Sequence, residues 1–461
     1  MHREDFQKGL KGKRVVVVGM ARTGMVAAEF LSKMGADVIV TEMKAADELG
    51  TSPDRLRSLG VEVELGGHSP QTFLRRDLIV ISPGVDPSIP PLEEARLNGI
   101  PVVSEIEFAS WYLCPPLIAV TGTNGKSTTT SLIGHILSHG GKKVFVGGNI
   151  GTPLTEYLLQ EREEVDYIVA EISSFHLEAI WYFRPWIALL LNLDEDHLDR
   201  HPTFSSYAEA KGRIFLNQGS KDWSVVNIDD ATIRILIPET KAQLLPFGRE
   251  RGGERGIWLG NEGVITYRGE GDEERFSLER LKIIGMHNAE NIMAAVGAAK
   301  ICGIPREVIQ ESLESFPGLE HRLESVGEWK GIHVYNDSKA TNVASTLKAL
   351  MSLKKPIILL AGGRDKGGDY YPLRGVIKER VKALILIGEA KEKMNEALGD
   401  LVPTYLVKGM EEGVHAAWDM ARDGDVVLLS PACASFDMFQ DFRERGITFK
   451  EIVLGLARKQ G

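Results

Sequence analysis

Short apolar runs alternate with helix-length amphipathic segments along almost the whole 461-residue chain, and this alternation constrains the fold most. A strand buried on both faces must be apolar throughout, and two parallel strands need a crossover long enough to hold a helix. VVVVG (Val15–Gly19), a helical stretch from Thr23 to Met34, VIVT (Val38–Thr41), VEVEL (Val61–Leu65) and LIVIS (Leu78–Ser82) form a first series. LIAVT (Leu117–Thr121), YIVAE (Tyr167–Glu171) and IALLLNL (Ile187–Leu193) form a second, with helices predicted over Asn288–Cys302 and Arg306–Ser315. IHVYND (Ile332–Asp337), IILLAGG (Ile357–Gly363), ALILIG (Ala383–Gly388), TYLV (Thr404–Val407) and VVLLSP (Val426–Pro431) form a third. The pattern predicts an α/β chain of βαβ units with mainly parallel sheets. Between about Gly252 and Leu281, polar alternating pieces predict a small antiparallel insert. FPGLEHR (Phe316–Arg322) has the Pro and Gly of a hinge, so three domains are expected over 1–105, 106–317 and 318–461.

The net charge of −10, with no basic tract, argues against an electrostatic nucleic-acid binder. The N-terminal MHREDFQKGLKGKR has no apolar segment of a secretory signal, and the longest apolar runs are too short to span a membrane. Cys114, Cys302 and Cys433 are too few and too dispersed for a disulfide framework or a metal knuckle. A cytoplasmic protein is expected.

AVTGTNGKSTT (Ala119–Thr129) follows a predicted buried strand and opens a helix. Gly122 and Gly125 allow a turn whose backbone N–H groups face phosphate oxygens, and the helix N-terminus adds a favourable dipole. Lys126 can reach the outer phosphates and the Ser127 hydroxyl can ligate Mg²⁺. Val120 stands where the longer phosphate loop has its first glycine, so this is a shortened variant. Ligands gather at the carboxyl ends of parallel strands. Glu171 ends one such strand, and Asp194, Asp196 and His197 follow another. Hard Mg²⁺ needs only one or two carboxylates there. By composition Lys211, in YAEAKGRIF, is an ordinary solvated or salt-bridged lysine.

GMARTG (Gly19–Gly24) is a second turn of the same kind, but Ala21 replaces the glycine that lets pyrophosphate approach in a nicotinamide site. Glu42 and the Ser82–Gly84 turn end neighbouring strands. In the third series Asp337, Lys339 and Thr341, then Arg364 and Lys366, then Ser430 and Ser435, follow successive strands. Cations and hydroxyls at one sheet edge suit a small anionic substrate.

Together, GTNGKST, EISSFHLE (Glu171–Glu178), NLDEDHLDRH (Asn192–His201), GMHNAEN (Gly285–Asn291), GLEHR (Gly318–Arg322), NDSKATN (Asn336–Asn342) and SPACASFDMF (Ser430–Phe439) resemble the Mur ligase family over essentially the whole chain. EISSFHLE and the last two segments resemble its D-glutamate-adding branch. The resemblance implies a Rossmann-like domain, a central P-loop ATPase domain and a second Rossmann-like domain. It implies a cytoplasmic, monomeric ligase acting on UDP-N-acetylmuramoyl-L-alanine, D-glutamate and ATP, with no nucleic acid or membrane partner. Arg22, Thr23, Glu42, Gly84 and Asn149 would meet the UDP-substrate, although Glu42-Met43 departs from the Asp-Thr-Arg of some members. Gly122, Thr123, Asn124, Gly125, Lys126, Ser127, Thr128, Asn288, Arg322 and Asp337 would bind ATP. Ser127, Glu171, His197 and a carbamylated Lys211 would hold two Mg²⁺ ions, and Lys126, Glu171, His197 and Lys211 would carry the catalysis. Thr341, Lys366, Ser435 and Phe442 would form the D-glutamate pocket. Three other readings compete: another ATP-dependent ligase of the superfamily, such as a folylpolyglutamate synthase, a nicotinamide oxidoreductase, or a non-catalytic nucleotide switch. NDSKATN and SPACASFDMF argue against the first, Ala21 against the second, and the separate polar edge of the third series against the last.

Overall fold

The computed structural model describes every residue except 1–2, 161–163, 197–199, 238–239, 250–252, 261–262, 272, 282, 284–285, 354–355, 366 and 461. The chain forms two compact units, Met1–Arg280 with Ala289–Glu314, and Leu281–Asn288 with Ser315–Gly461. Among the described residues there are three sheets, two in the first unit and one in the second.

The first sheet comprises β1 (Arg14–Val18), β2 (Asp37–Glu42), β3 (Glu62–Leu65), β4 (Leu78–Ile81) and β5 (Val102–Ser104). All its pairings are parallel, in the order β3-β2-β1-β4-β5. Val15 to Val18 are completely buried because helices cover both faces, which explains the unbroken valine run. The strand order reverses between β1 and β4, a topological switch point where a crevice opens. GMARTG follows β1 and Ser82–Gly84 follows β4 at that crevice.

The second sheet comprises β6 (Leu117–Thr121), β7 (Val144–Gly148), β8 (Tyr167–Glu171), β9 (Ile187–Leu190), β10 (Trp223–Asn227), β11 (Gln243–Gly248), β12 (Gly256–Leu259), β13 (Val264–Arg268) and β14 (Glu274–Ser277). Their order is β14-β13-β12-β11-β10-β9-β6-β8-β7. The expected antiparallel insert is not separate. Strand β12 pairs parallel with β11, and β13 and β14 extend the same sheet antiparallel. A free-standing hairpin would be marginal, whereas the existing edge supplies backbone partners.

The helix Glu105–Ser110 joins the first sheet to the second, capped by the Ser104 hydroxyl. Its Glu107 is fully buried, yet accepts the Trp111 indole N–H at 2.7 Å and the backbone N–H groups of Trp181, Tyr182 and Phe183 at 2.7–3.0 Å. Four donors offset the desolvation of its charge.

The third sheet comprises β15 (Glu324–Trp329), β16 (Ile332–Asn336), β17 (Ile357–Gly362), β18 (Val381–Ile387), β19 (Thr404–Leu406) and β20 (Val426–Leu429), ordered β15-β16-β20-β17-β18-β19. Only the β15–β16 pairing is antiparallel. The α/β class with parallel-dominated sheets flanked by helices is as expected.

Candidate active site

Strand β6 lies between β8 and β9, so their carboxyl ends converge. After Thr121 the chain turns through Gly122 into the helix Lys126–His139. Gly125 caps this helix at φ 84°, and a Cβ there would overlap the Asn291 amide oxygen, so the position excludes other residues on two grounds. The loop is held by the segment after β9. The N–H of Thr123 donates to the Asn192 carbonyl at 2.9 Å and that of Asn124 to Asn192 Oδ1 at 2.7 Å. Thr123 Oγ1 bonds Asp194 and lies 3.1 Å from the Tyr207 hydroxyl, while Asn124 Nδ2 donates to Asp194. The Thr123 and Asn124 N–H groups are therefore engaged within the protein and do not face outward as the loop pattern predicts. Lys126, Ser127 and Thr128 form the first turn of the helix, the end at which an α-helix favours an anion. The Lys126 ammonium folds back onto the carbonyls of Gly122 and Thr123, at 3.0 and 2.8 Å.

Glu171 ends β8 directly opposite Val120 of β6 and Gly148 of β7. It is 2% exposed. Asn149 Nδ2 donates to its Oε1 at 2.9 Å, while its buried Oε2 has no hydrogen-bond partner among the described residues. An unpartnered buried carboxylate oxygen is costly unless a cation meets it. Ser127, also buried, adds a hydroxyl at the helix start. These oxygens are donors of the kind a hard divalent cation takes. No group of three His, Cys, Asp or Glu side chains that could hold a metal gathers among the described residues. His197 lies outside the described residues.

Lys211 corrects the compositional reading. It is 2% exposed, not solvated, and its Nζ donates to the Gly122 carbonyl at 2.8 Å. Burial and then the Lys126 charge hold its pKa well below the ordinary lysine value, against the pull of Asp196 and Glu171. It sits on the helix Phe204–Gly212 with its Nζ 4.8 Å from the Tyr207 ring centre, beneath the phosphate loop. Nothing in the local residue pattern signals this burial. His176, within EISSFHLE, is structural: it bonds Ser173 at its own helix cap, and burial lowers its pKa to about 3.

At the first sheet, Glu42 accepts the N–H of Met20 at 2.7 Å and of Lys44 at 3.1 Å, so it braces the GMARTG turn. A Cβ on Gly24 would overlap the Gly19 carbonyl oxygen, which explains the glycine pair. Arg22 bonds the Gly151 carbonyl at 2.7 Å and pairs with Glu156 at 3.0 Å. Thr23 is half-buried on the same turn and Gly84 is exposed after β4.

In the second unit, β16, β20 and β17 are adjacent, so NDSKATN, SPACAS and the Gly363–Arg364 turn meet at one edge. Asp337 is buried, and desolvation raises its pKa to about 7 despite bonds from Ser430 Oγ (2.8 Å) and the Leu323 N–H (3.1 Å). Arg322 is exposed nearby and its charge pulls the other way. Thr341 is half-buried and Ser435 buried at the strand ends. Phe442 opens the last helix with its ring centre 5.8 Å from Lys339 Nζ. Asn288 lies in the first turn of the helix Met286–Ile301. Lys366 lies outside the described residues.

Three parallel-dominated sheets with a phosphate loop at the central one define a nucleotide-dependent enzyme class. Family models match in chain order: Mur ligase MurD-like, N-terminal domain over 13–104, Mur ligase middle domain over 120–299, and Mur ligase, glutamate ligase domain over 321–433. A protein named UDP-N-acetylmuramoylalanine--D-glutamate ligase from Geotalea uraniireducens is 48% identical over 97% of this chain and 98% of its own. One of the same name from Syntrophus aciditrophicus is 43% identical over 98% and 100%. Among solved structures, a pseudomurein peptide ligase type C from Methanothermus fervidus and UDP-N-acetylmuramate-alanine ligase MurC from Thermotoga maritima each share the fold. Each has a TM-score of 0.59 and 20% identity, and covers 96% of this chain and 100% of its own. The chain belongs to the Mur ligase family, as its motifs suggest, and is a ligase. Among the described residues no helix is long and apolar enough to cross a membrane.

Proposed function

We propose that this ligase joins D-glutamate to UDP-N-acetylmuramoyl-L-alanine, with ATP converted to ADP and phosphate, in the cytoplasmic synthesis of peptidoglycan precursors. Relatives of that name, matched end to end at 43–48% identity, support the substrates. The observation that carries the chemistry is the buried pair of unusual groups beside the phosphate loop: a lysine amine held low in pKa and a carboxylate oxygen without a partner.

An amide does not form from a free carboxylate in water without activation. In this reading the alanine carboxylate attacks the γ-phosphorus of ATP in line, ADP leaves, and an acyl phosphate results. Lys126, released from its loop carbonyls, neutralises the transferred charge. The D-glutamate amine then attacks the carbonyl carbon, loses a proton and expels inorganic phosphate. Ser127, Glu171, His197 and Lys211 are the residues proposed to hold two Mg²⁺ ions, which when bound polarise the phosphates. A neutral Lys211 amine can add carbon dioxide and release a proton, turning a repelling cation into an anion with two oxygen donors. Residues 1–105 would take the UDP group through Arg22, Thr23, Glu42 and Gly84, with Asn149 of the central segment touching the same substrate. Residues 106–317 would take ATP, and 318–461 D-glutamate through Thr341, Lys366, Ser435 and Phe442. Asn288, Arg322 and Asp337 would complete the nucleotide site. The working form proposed is a monomer.

Purified protein should release phosphate only when ATP, UDP-N-acetylmuramoyl-L-alanine and D-glutamate are all present, and ¹⁸O from the alanine carboxylate should appear in that phosphate. Strong turnover with L-lysine or diaminopimelate in place of D-glutamate would overturn the amino-acid assignment. Phosphate free of the label would overturn the acyl phosphate.

A further inference from the structure

Arg445, on the helix Phe442–Gln460, is 0% exposed. A buried guanidinium is ordinarily neutralised by a carboxylate. Among the described residues its bonds go to neutral oxygens: Nε to Ser338 Oγ at 2.9 Å, Nη2 to the Ser338 carbonyl at 2.8 Å, and Nη1 to the carbonyls of Cys433 and Ala434 at 3.1 and 3.2 Å. Burial lowers its pKa to about 10, with Cys433 and then Asp437 opposing, so Arg445 stays cationic at neutral pH. The acceptors are placed tellingly. Ser338 belongs to the loop after β16 that carries Thr341, and Cys433 and Ala434 immediately precede Ser435 after β20. The Ser338 hydroxyl also donates to the Phe442 carbonyl at 2.8 Å, tying in the helix start. At β17, a Cβ on Gly363 would lie 3.1 Å from Arg445 Nη1 and overlap the Ala434 carbonyl, so that strand end also closes on the cluster. The planar fork reaches two loops at once, and a lysine could not.

We propose that Arg445 is a positioning residue that sets the shape of the D-glutamate pocket by fixing the loops before Thr341 and Ser435 and the start of the helix at Phe442. This rests on the reading that those residues form that pocket. The guanidinium touches no substrate. It holds the hydroxyl-bearing loops in register, and its charge, bonded by no carboxylate among the described residues, favours an incoming dicarboxylate.

The test is steady-state kinetics of Arg445→Lys and Ser338→Ala with each of the three substrates varied. Arg445→Lys is expected to raise KM for D-glutamate about tenfold or more, since small misplacements of binding groups are expensive. KM for ATP and the UDP-substrate should change less than about threefold. Ser338→Ala should shift the same ratio in the same direction by less. A purely structural role would lower active enzyme without this split. Equal shifts for all three substrates, or none, in folded Arg445→Lys would overturn the inference. If Arg445→Lys does not fold, the Ser338→Ala ratio decides. A wild-type protein whose turnover does not depend on D-glutamate would instead overturn the underlying reading.

Discussion

The carboxyl edges of the central and third sheets hold the same ingredients, a buried base and a buried acid, in opposite states of satisfaction. Among the described residues Lys211 at the central edge donates only to the Gly122 carbonyl, and Glu171 keeps a buried oxygen without a hydrogen-bond partner. At the third, Arg445 bonds four oxygens and both Asp337 oxygens are occupied. An under-satisfied edge costs stability in the free protein, a cost that binding of a ligand or cation would offset. The satisfied pair Arg445 and Asp337 is stable as it stands, although at the same edge Asp437 Oδ1 is buried without a hydrogen-bond partner among the described residues. The choice of base follows: a buried lysine can shed its proton and become a nucleophile toward carbon dioxide, whereas an arginine stays charged and serves as scaffold.

Experiments on three residues test this contrast. Replacing Lys211 by Arg puts a permanent charge beside Lys126 and removes the amine. Ligation measured by phosphate release should fall about 10²–10³-fold, the usual loss when a group stabilising transition-state charge is removed. Depleting carbon dioxide should slow the wild type, with recovery on adding bicarbonate, and the variant should not respond. A wild type indifferent to bicarbonate would remove the carbamate. Glu171→Gln should reduce turnover about 10²-fold. Relieved of a buried charge, it should also melt about 2 °C higher, as function-stability trade-offs go. A lower melting temperature would mean that Glu171 is satisfied after all. The smallest effect concerns Asp337. Its pKa is raised to about 7, so the folded state binds more protons than the unfolded chain between the ordinary aspartate value and 7. Its stabilising contribution is complete at acid pH and is lost as pH rises through about 7. Asp337→Asn should flatten that part of the melting-temperature profile, and an unchanged slope would place the proton elsewhere.

Much of this is legible in the residues. LIAVT and YIVAE are strands over their full predicted lengths, and Arg306–Ser315 is a helix. Val144–Gly148 and Trp223–Asn227 escape the pattern, the first ending in two glycines and the second interrupted by polar Ser224. Lys211 and Arg445 are the larger omissions. Long cationic side chains on helices are ordinarily solvated, and neither FSSYAEAKG nor the last helix signals otherwise. Asn192 reads in the sequence only as the start of an acidic run, yet it takes two loop N–H groups.

The parallel α/β class, the glycine turns and the Lys-Ser pair at a helix start are written in the residues. They follow from side-chain period, backbone freedom and capping, all of which act over a few residues. Which strands are neighbours, and hence that Glu171, Lys211 and the phosphate loop share one edge, came from the folded chain. It also decided their protonation and partners. Desolvation and hydrogen bonding depend on atoms brought together from distant parts of the chain, such as Gly122 meeting Lys211, and no local pattern encodes them.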